Sequence, residues 1–251
     1  MTITIAQVTD THLLDFPDDE MRGVKTWYSL KAVLAEVAKQ RLDYLLLTGD
    51  LAHKGSAKAY QHLIDLVTPL NIAATWLPGN HDCLETMKPH LNHPLFSPPQ
   101  SLRLGNWQII TLSTVTVEEG YGEGRLTEES LSWLNAQLQK HSNFPTLIAL
   151  HQHPVTVGID WLDQMGVVNN QALLEIIDRS PQVKVVLFGH IHHAFHHQHN
   201  GVDYYGCPST CLQVVSDDTV DPTLHQPGFR LLQLYPNGEC ETVIHRVANA
   251  L

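Results

Sequence analysis

Five apolar runs in this sequence each stop at a cluster of Asp, Asn, His and Gly, and that coincidence restricts the fold more than any other feature. Ile3–Val8 runs into Thr9-Asp10-Thr11-His12, Tyr44–Thr48 into Gly49-Asp50, and Ala73–Leu77 into Pro78-Gly79-Asn80-His81-Asp82. Thr146–Leu150 delivers His151, and Val183–Phe188 delivers Gly189-His190-Ile191-His192. Runs of four to eight apolar residues bounded by turn formers read as strands buried on both faces. Ligand sites in α/β sheets lie at the carboxyl ends of such strands, so groups far apart in sequence can meet there.

Helix-period segments alternate with these strands. Ser29–Lys39 places Leu30, Val33, Leu34 and Val37 on one face. Ser56 is a predicted N-cap for a helix ending near Leu66, and Thr127 for one beginning with Glu128 and Glu129. A further helix is expected over Asn170–Arg179 and a further strand over Trp107–Leu112, with Lys88–Gln100 as a Pro- and His-rich connection. Asn200-Gly201 and Asn237-Gly238 are hairpin signals near the C-terminal end. The pattern predicts one α/β domain over residues 1–251, sheets inside and helices outside.

With 15 Lys+Arg against 26 Asp+Glu, the formal net charge of −11 disfavours non-specific binding to nucleic acid or to an anionic membrane. Bound divalent cations would reverse that sign locally and leave an anionic substrate acceptable. The opening MTITIAQVTDTH has neither a basic start nor a long apolar run, and no stretch reaches the ~20 apolar residues of a membrane span. A cytoplasmic protein is expected. Cys83, Cys207, Cys211 and Cys240 fit no C-x-x-C pattern and read as buried free thiols.

Asp, Asn and His supply oxygen and imidazole nitrogen, a donor set suited to Mn, Fe or Zn. Asp10 and His12, like His190 and His192, are two residues apart, so extended backbone would point each pair to one side. Glycine ahead of Asp50, Asn80 and His190 lets the chain turn off the sheet. Any one fragment is ordinary. The ordered set D-x-H, G-D, G-N-H-D, H, G-H-x-H, each at a strand end, is not, because cores do not need so many polar groups at sheet edges.

That set resembles the calcineurin-like metallophosphoesterases, and the resemblance runs from Ile3 into the C-terminal hairpins. Stretches outside the shared metal motif, GVKTWYSLKAVL, AYQHL, WLPGNHD, HPVTVGIDWLDQMGVVN and CPSTCLQ, are similar to the bacterial class III 3′,5′-cyclic-AMP phosphodiesterases. The resemblance implies a metallophosphoesterase fold: a central β-sandwich flanked by helices in four layers, αββα, with C-terminal β-hairpins. It implies two metal ions, Fe and Mn foremost and Zn or Co acceptable. One would be held by Asp10, His12, Asp50 and His192, the other by Asp50, Asn80, His151 and His190, with Asp50 shared. His12, Asp50, Asn80, His81 and His192 would face a cyclic nucleotide. His81 would contact its phosphate, and Asp82, at the fourth position of G-N-H-[E/D], would orient His81 through its ring N–H. The implied reaction is hydrolysis of 3′,5′-cyclic AMP to 5′-AMP by in-line attack of a metal-bridging hydroxide, the centre keeping a local charge of roughly +1. A broader phosphodiesterase or phosphomonoesterase uses the same parts, and a non-catalytic metal-binding scaffold is the remaining alternative. This chain has His151-Gln152-His153-Pro154 where the family often carries consecutive histidines.

Other conspicuous residues have two readings each. His153 is a substrate contact or a support. Trp161 covers a nucleobase or packs on the rim. Cys207-Pro208-Ser209-Thr210 lines the nucleotide pocket or forms a tight strand-end turn. His193, His196, His197 and His199, in the histidine-rich LFGHIHHAFHHQHNG, are expected to be ordinary surface residues. Glu118–Gly124 is a glycine-rich acidic connection without the Lys of a phosphate-binding P-loop. The hairpin edges allow a homodimer.

Overall fold

The apolar runs become the middle strands of two stacked sheets in a computed structural model that describes residues 1–115, 122–215 and 220–248. The chain begins with β1 (Ile3–Val8), α1 (Thr26–Val37), β2 (Tyr44–Thr48), α2 (Ala57–Val67), β3 (Ala74–Leu77), α3 (Leu84–His90) and β4 (Phe96–Ser97). It continues through β5 (Ser101–Leu104), β6 (Trp107–Thr111), α4 (Glu128–Lys140), β7 (Thr146–Leu150), α5 (Asp160–Asp163), α6 (Asn170–Asp178) and β8 (Val183–Phe188). Last come β9 (Phe195–His199), β10 (Val202–Gly206), β11 (Gly228–Leu234) and β12 (Cys240–Arg246). One sheet has the order β12-β11-β1-β2-β3-β4, the other β5-β6-β7-β8-β10-β9. Within them β1, β2 and β3 are mutually parallel, as are β6, β7 and β8, so their carboxyl ends emerge at common edges.

Alternation along each strand builds the layers. Ile5, Leu46 and Leu77 point inward and meet Trp107, Ile109, Leu147 and Leu187 of the other sheet. Their neighbours Ala6, Leu45 and Leu47 point outward and are covered by Leu30, Val33 and Leu34 of α1 and Tyr60 and Leu63 of α2. On the far side Ile110, Ile148 and Val186 are covered by Leu134 and Leu138 of α4 and Leu173 and Ile177 of α6. The result is the expected αββα arrangement, with both hairpins at the C-terminal end: β9 and β10 turn through Asn200-Gly201, and β11 pairs with β12 around Asn237-Gly238.

The predicted caps form, with Ser56 Oγ accepting from the Ala59 N–H at 3.2 Å and Thr127 Oγ1 from the Ser130 N–H at 3.1 Å. Three details differ from expectation. Helix α1 begins at Thr26, and Ser29 lies inside it, its hydroxyl donating to the Thr210 carbonyl at 2.5 Å. Helix α3 and strand β4 overlap the stretch read as a connection; the helix is short and carries Pro89. The thiols are free, yet only Cys207 and Cys211 are buried, whereas Cys83 is exposed and Cys240 half-buried. Of the acidic connection Glu118–Gly124, residues 118–121 lie outside the described residues, while Gln152 Nε2 donates to the Gly122 carbonyl at 3.0 Å and anchors its far end. Among the described residues no helix is long and apolar enough to cross a membrane.

Candidate metal centre

The strand-end polar groups meet at one edge of the two sheets. They do so through left-handed backbone rather than the extended D-x-H and H-x-H geometry expected. Asp10, His12, Asp50, His190 and His192 have φ of 52°, 44°, 50°, 67° and 53°. Non-glycine residues rarely hold such angles without surrounding support, and strain of this kind concentrates at functional sites. The support is visible: the Asp10 N–H donates to the Gly49 carbonyl and the His12 N–H to the Asp50 carbonyl, each at 2.9 Å. Gly49, at φ 94°, makes the turn off β2. Gly79 serves a different need, since a Cβ there would run into the Asp50 carboxylate and sit 2.7 Å from His151 Nε2.

Two buried ligand clusters result, Asp10/His12/His192 and Asp50/His151/His190. In the first, His192 Nε2 lies 3.1 Å from Asp10 Oδ1 and 3.2 Å from His12 Nε2. In the second, His151 Nε2 lies 3.4 Å from Asp50 Oδ2. That same oxygen is 3.7 Å from His12 Nε2, so Asp50 stands between the clusters. The nitrogens' other sides are fixed: His151 Nδ1 lies 2.7 Å from the Thr48 carbonyl and His192 Nδ1 2.9 Å from the Leu212 carbonyl. A carbonyl accepts only, so each Nδ1 carries the hydrogen and each Nε2 is turned to the centre.

The residues fit a pair of divalent cations. Asn80 Oδ1, His151 Nε2 and His190 Nε2 are buried atoms without a hydrogen-bond partner, which is costly unless something else satisfies them. Two carboxylates, an amide oxygen and imidazole nitrogens are suitable donors for such ions. Charge in the metal-free protein is correspondingly uneven. Burial drives the His12 and His190 imidazoles down to about 3. Burial also works against the charged forms of Asp10 and Asp50, but His192 and His151 respectively outweigh it, holding Asp10 at about 2 and Asp50 well below the usual carboxylate range. His151 is raised to about 9, since the Asp50 charge overcomes its burial. A cation held at His151 Nε2 would take the place of any proton there.

His81 joins the centre through its backbone, donating its N–H to Asp50 Oδ1 at 2.8 Å. Its expected partner is not Asp82. His81 Nδ1 lies 3.1 Å from the His53 carbonyl, and its ring stacks on that of His53 with centroids 4.9 Å apart. Asp82 instead accepts from the N–H groups of Leu51, Ala52 and Gly79 at 3.1, 2.9 and 2.9 Å, and from the Tyr60 hydroxyl at 3.0 Å. Burial, then repulsion from Asp50, lifts its carboxyl to about 6. Asp82 ties the two ligand loops together and leaves His81 alone. Sequence reasoning missed His53; its only signal was its place three residues after Asp50.

His153 is 2% exposed, stacks on His190 at 5.8 Å and is not among the described residues lining the cleft, which favours the supporting reading over the substrate contact. Ser209 Oγ donates to the Asp10 carbonyl at 2.7 Å and the Thr210 N–H to the Thr9 carbonyl at 3.1 Å, so Cys207–Thr210 is a brace under the first ligand loop. Trp161 stands on the cleft wall, 53% exposed. His193, His196, His197 and His199 join none of the described ligand clusters; His196 pairs with Asp203 at 2.8 Å and His199 with Asp178 at 3.7 Å.

Residues 3–194 match the family described as calcineurin-like phosphoesterase. A 3′,5′-cyclic-nucleotide phosphodiesterase of Nostoc sp. is 43% identical over 254 residues, covering 100% of this chain and 95% of the relative. The 3′,5′-cyclic adenosine monophosphate phosphodiesterase CpdA of Vibrio vulnificus is 39% identical over 253 residues, covering 99% and 91%. Among solved structures, a dimetal phosphatase from Danio rerio shares the fold with a TM-score of 0.70 at 14% identity, covering 98% of this chain and 99% of that one.

Proposed function

The chain belongs to the calcineurin-like phosphoesterases, and from that premise we propose that it hydrolyses 3′,5′-cyclic AMP to 5′-AMP with two divalent cations. The observation that carries this reading is the placement of Asp50 Oδ2 between two buried ligand clusters, beside partnerless Asn80 Oδ1 and His190 Nε2. Asp10, His12, Asp50 and His192 would hold one ion, and Asp50, Asn80, His151 and His190 the other. When bound, the cations neutralise the phosphodiester and make water a competent nucleophile near neutral pH.

The chain's own residues do the rest. Carbonyls of Thr48 and Leu212 keep His151 and His192 in the tautomer whose Nε2 can act as a ligand. His81, with Nδ1 committed to the His53 carbonyl, keeps Nε2 free within the cleft. A proton carried on that Nε2 passes to the 3′ oxygen as the P–O3′ bond breaks, leaving the neutral ring with its Nδ1–H still on the His53 carbonyl. Water supplies the oxygen gained by phosphorus, so the products balance as 5′-AMP. Trp161, an exposed aromatic on the same wall, offers its face to the purine.

Support for the substrate comes from the full-length cyclic-nucleotide phosphodiesterase relatives, because the metal centre by itself reads phosphate. We place the enzyme in the cytoplasm as a single domain, where this nucleotide is found. The test is a substrate panel with metal-loaded protein: cyclic AMP, cyclic GMP, a 2′,3′-cyclic nucleotide and bis(4-nitrophenyl) phosphate. Turnover of cyclic AMP at a kcat/KM above the others is expected. Cleavage of the nitrophenyl diester without cyclic-AMP turnover would overturn the substrate and leave the metal centre standing.

A further inference from the structure

Besides its histidines, the cleft wall carries one basic side chain, Arg22, the sole Lys or Arg among its described lining residues. Arg22 and Gly23 form the two-residue turn of a small hairpin, with Met21 and Val24 exchanging backbone hydrogen bonds at 2.9 and 3.0 Å. Their φ angles are 49° and 86°. Positive φ at both central residues is the mark of a type I′ turn, whose first position favours Asn, Asp or Gly. Arginine is a poor choice there on backbone grounds, and such a misfit points to a duty for the side chain.

Among the described residues nothing supplies that duty. Among the described residues the guanidinium has no hydrogen bond, ion pair or ring contact, although the chain carries 26 acidic residues and a formal charge of −11. It is nevertheless close to the centre. It lines the same cleft as His12, Asp50, Asn80 and His81. An always-charged fork with five donors, without a partner among the described residues and set on the cleft wall, suits a phosphate oxygen better than any neutral group.

We infer that Arg22 is a substrate-binding residue, whose guanidinium contacts a non-bridging oxygen of the phosphodiester from the rim of the cleft. This rests on the phosphoesterase reading of the site and not on the identity of the nucleoside. Loss of a phosphate contact weakens the binding of every phosphodiester alike, whereas loss of a contact to the base would change only the nucleotide substrates.

The experiment compares wild type, Arg22→Asn and Arg22→Lys on cyclic AMP and on bis(4-nitrophenyl) phosphate, with melting temperatures recorded alongside. Asn suits the first position of this turn, so Arg22→Asn is expected to melt at or above the wild-type temperature. Its KM is expected to rise roughly tenfold on both substrates, the loss of one charge-assisted contact, with kcat within about twofold. Arg22→Lys, retaining charge without the fork, is expected to fall between the two. An unchanged KM on the diester that wild type cleaves would overturn the inference, and so would a rise confined to cyclic AMP. If wild type cleaves only the nitrophenyl diester, the nucleotide reading fails while Arg22 is still tested on that substrate.

Discussion

The His81 backbone N–H donates to Asp50 Oδ1 at 2.8 Å, and this bond divides the work of one carboxylate. Oδ1 is occupied by the loop that carries His81, so Oδ2 is left to face His12 at 3.7 Å and His151 at 3.4 Å. One residue thus stands between the ligand clusters and also fixes the loop that carries His81.

His81 lies outside both fully buried ligand clusters and groups instead with His12 and His53, so its side chain is expected to be separable from the binding of the two ions. His81→Ala is expected to keep the wild-type metal content while kcat falls by about 10²–10⁴, the usual worth of a positioned general acid. Metal analysis and steady-state kinetics on one preparation read both quantities. Loss of metal in proportion to activity would remove His81 from the proton-transfer role.

Gly79 tests how tightly the loops close on Asp50. In Gly79→Ala the new methyl group would strike the Asp50 carboxylate and approach His151 Nε2 to 2.7 Å. Because both neighbours are buried and held by other bonds, a cost of about 1–3 kcal/mol is expected, together with weakened metal retention. Denaturant unfolding and metal content after dialysis measure the two effects. A variant with native stability and full metal content would show that the loops yield more easily than their packing implies.

Asp82 is expected to matter for stability before it matters for chemistry. Asp82→Ala strands three backbone N–H groups and the Tyr60 hydroxyl, and a loss of about 3 kcal/mol or more should follow. At temperatures where the variant is folded, the pH–rate profile should keep its wild-type shape. A shifted profile with an unchanged melting temperature would return Asp82 to a direct role on His81.

His153 gives a pH dependence with a definite sign. Burial, with the Asp163 charge opposing, depresses its imidazole from the ordinary 6.5 to about 4. Between those values the unfolded chain binds a proton that the folded chain refuses, so stability falls as pH drops from 6.5 toward 4. The slope is up to about 1.4 kcal/mol per pH unit, and the window amounts to about 3 kcal/mol. Unfolding of chelator-treated wild type and His153→Phe at pH 7, 6 and 5 isolates this residue from His12 and His190, which act in the same direction. Parallel stability curves for the two proteins would show that His153 does not carry the effect.

What the sequence revealed divides along physical lines. β1, β2, β3, β7 and β8 were legible because burial on both faces forces unbroken apolar runs, and the groups just beyond them because no core needs Asp and His at its edge. Left-handed backbone at Asp10, His12, Asp50, His190 and His192 was not legible, since those residue types seldom adopt it and only the cross-loop hydrogen bonds make it tolerable. Asp82 was misread because its partners are backbone N–H groups, which leave no trace in residue identity. The same limit hid His53, whose carbonyl, not its side chain, holds the His81 ring nitrogen. Helix α3 was too short and too near Pro89 to show a helical period.

The most direct test of the shared-carboxylate centre is elemental analysis of purified wild type and Asp50→Asn, with cyclic-AMP turnover measured on the same samples. Two divalent ions per wild-type chain are expected, with Asp50→Asn losing at least one of them and nearly all turnover. Full turnover by a protein holding one ion or none, or an Asp50→Asn variant that keeps both ions and its activity, would contradict the placement of Asp50 between two cations.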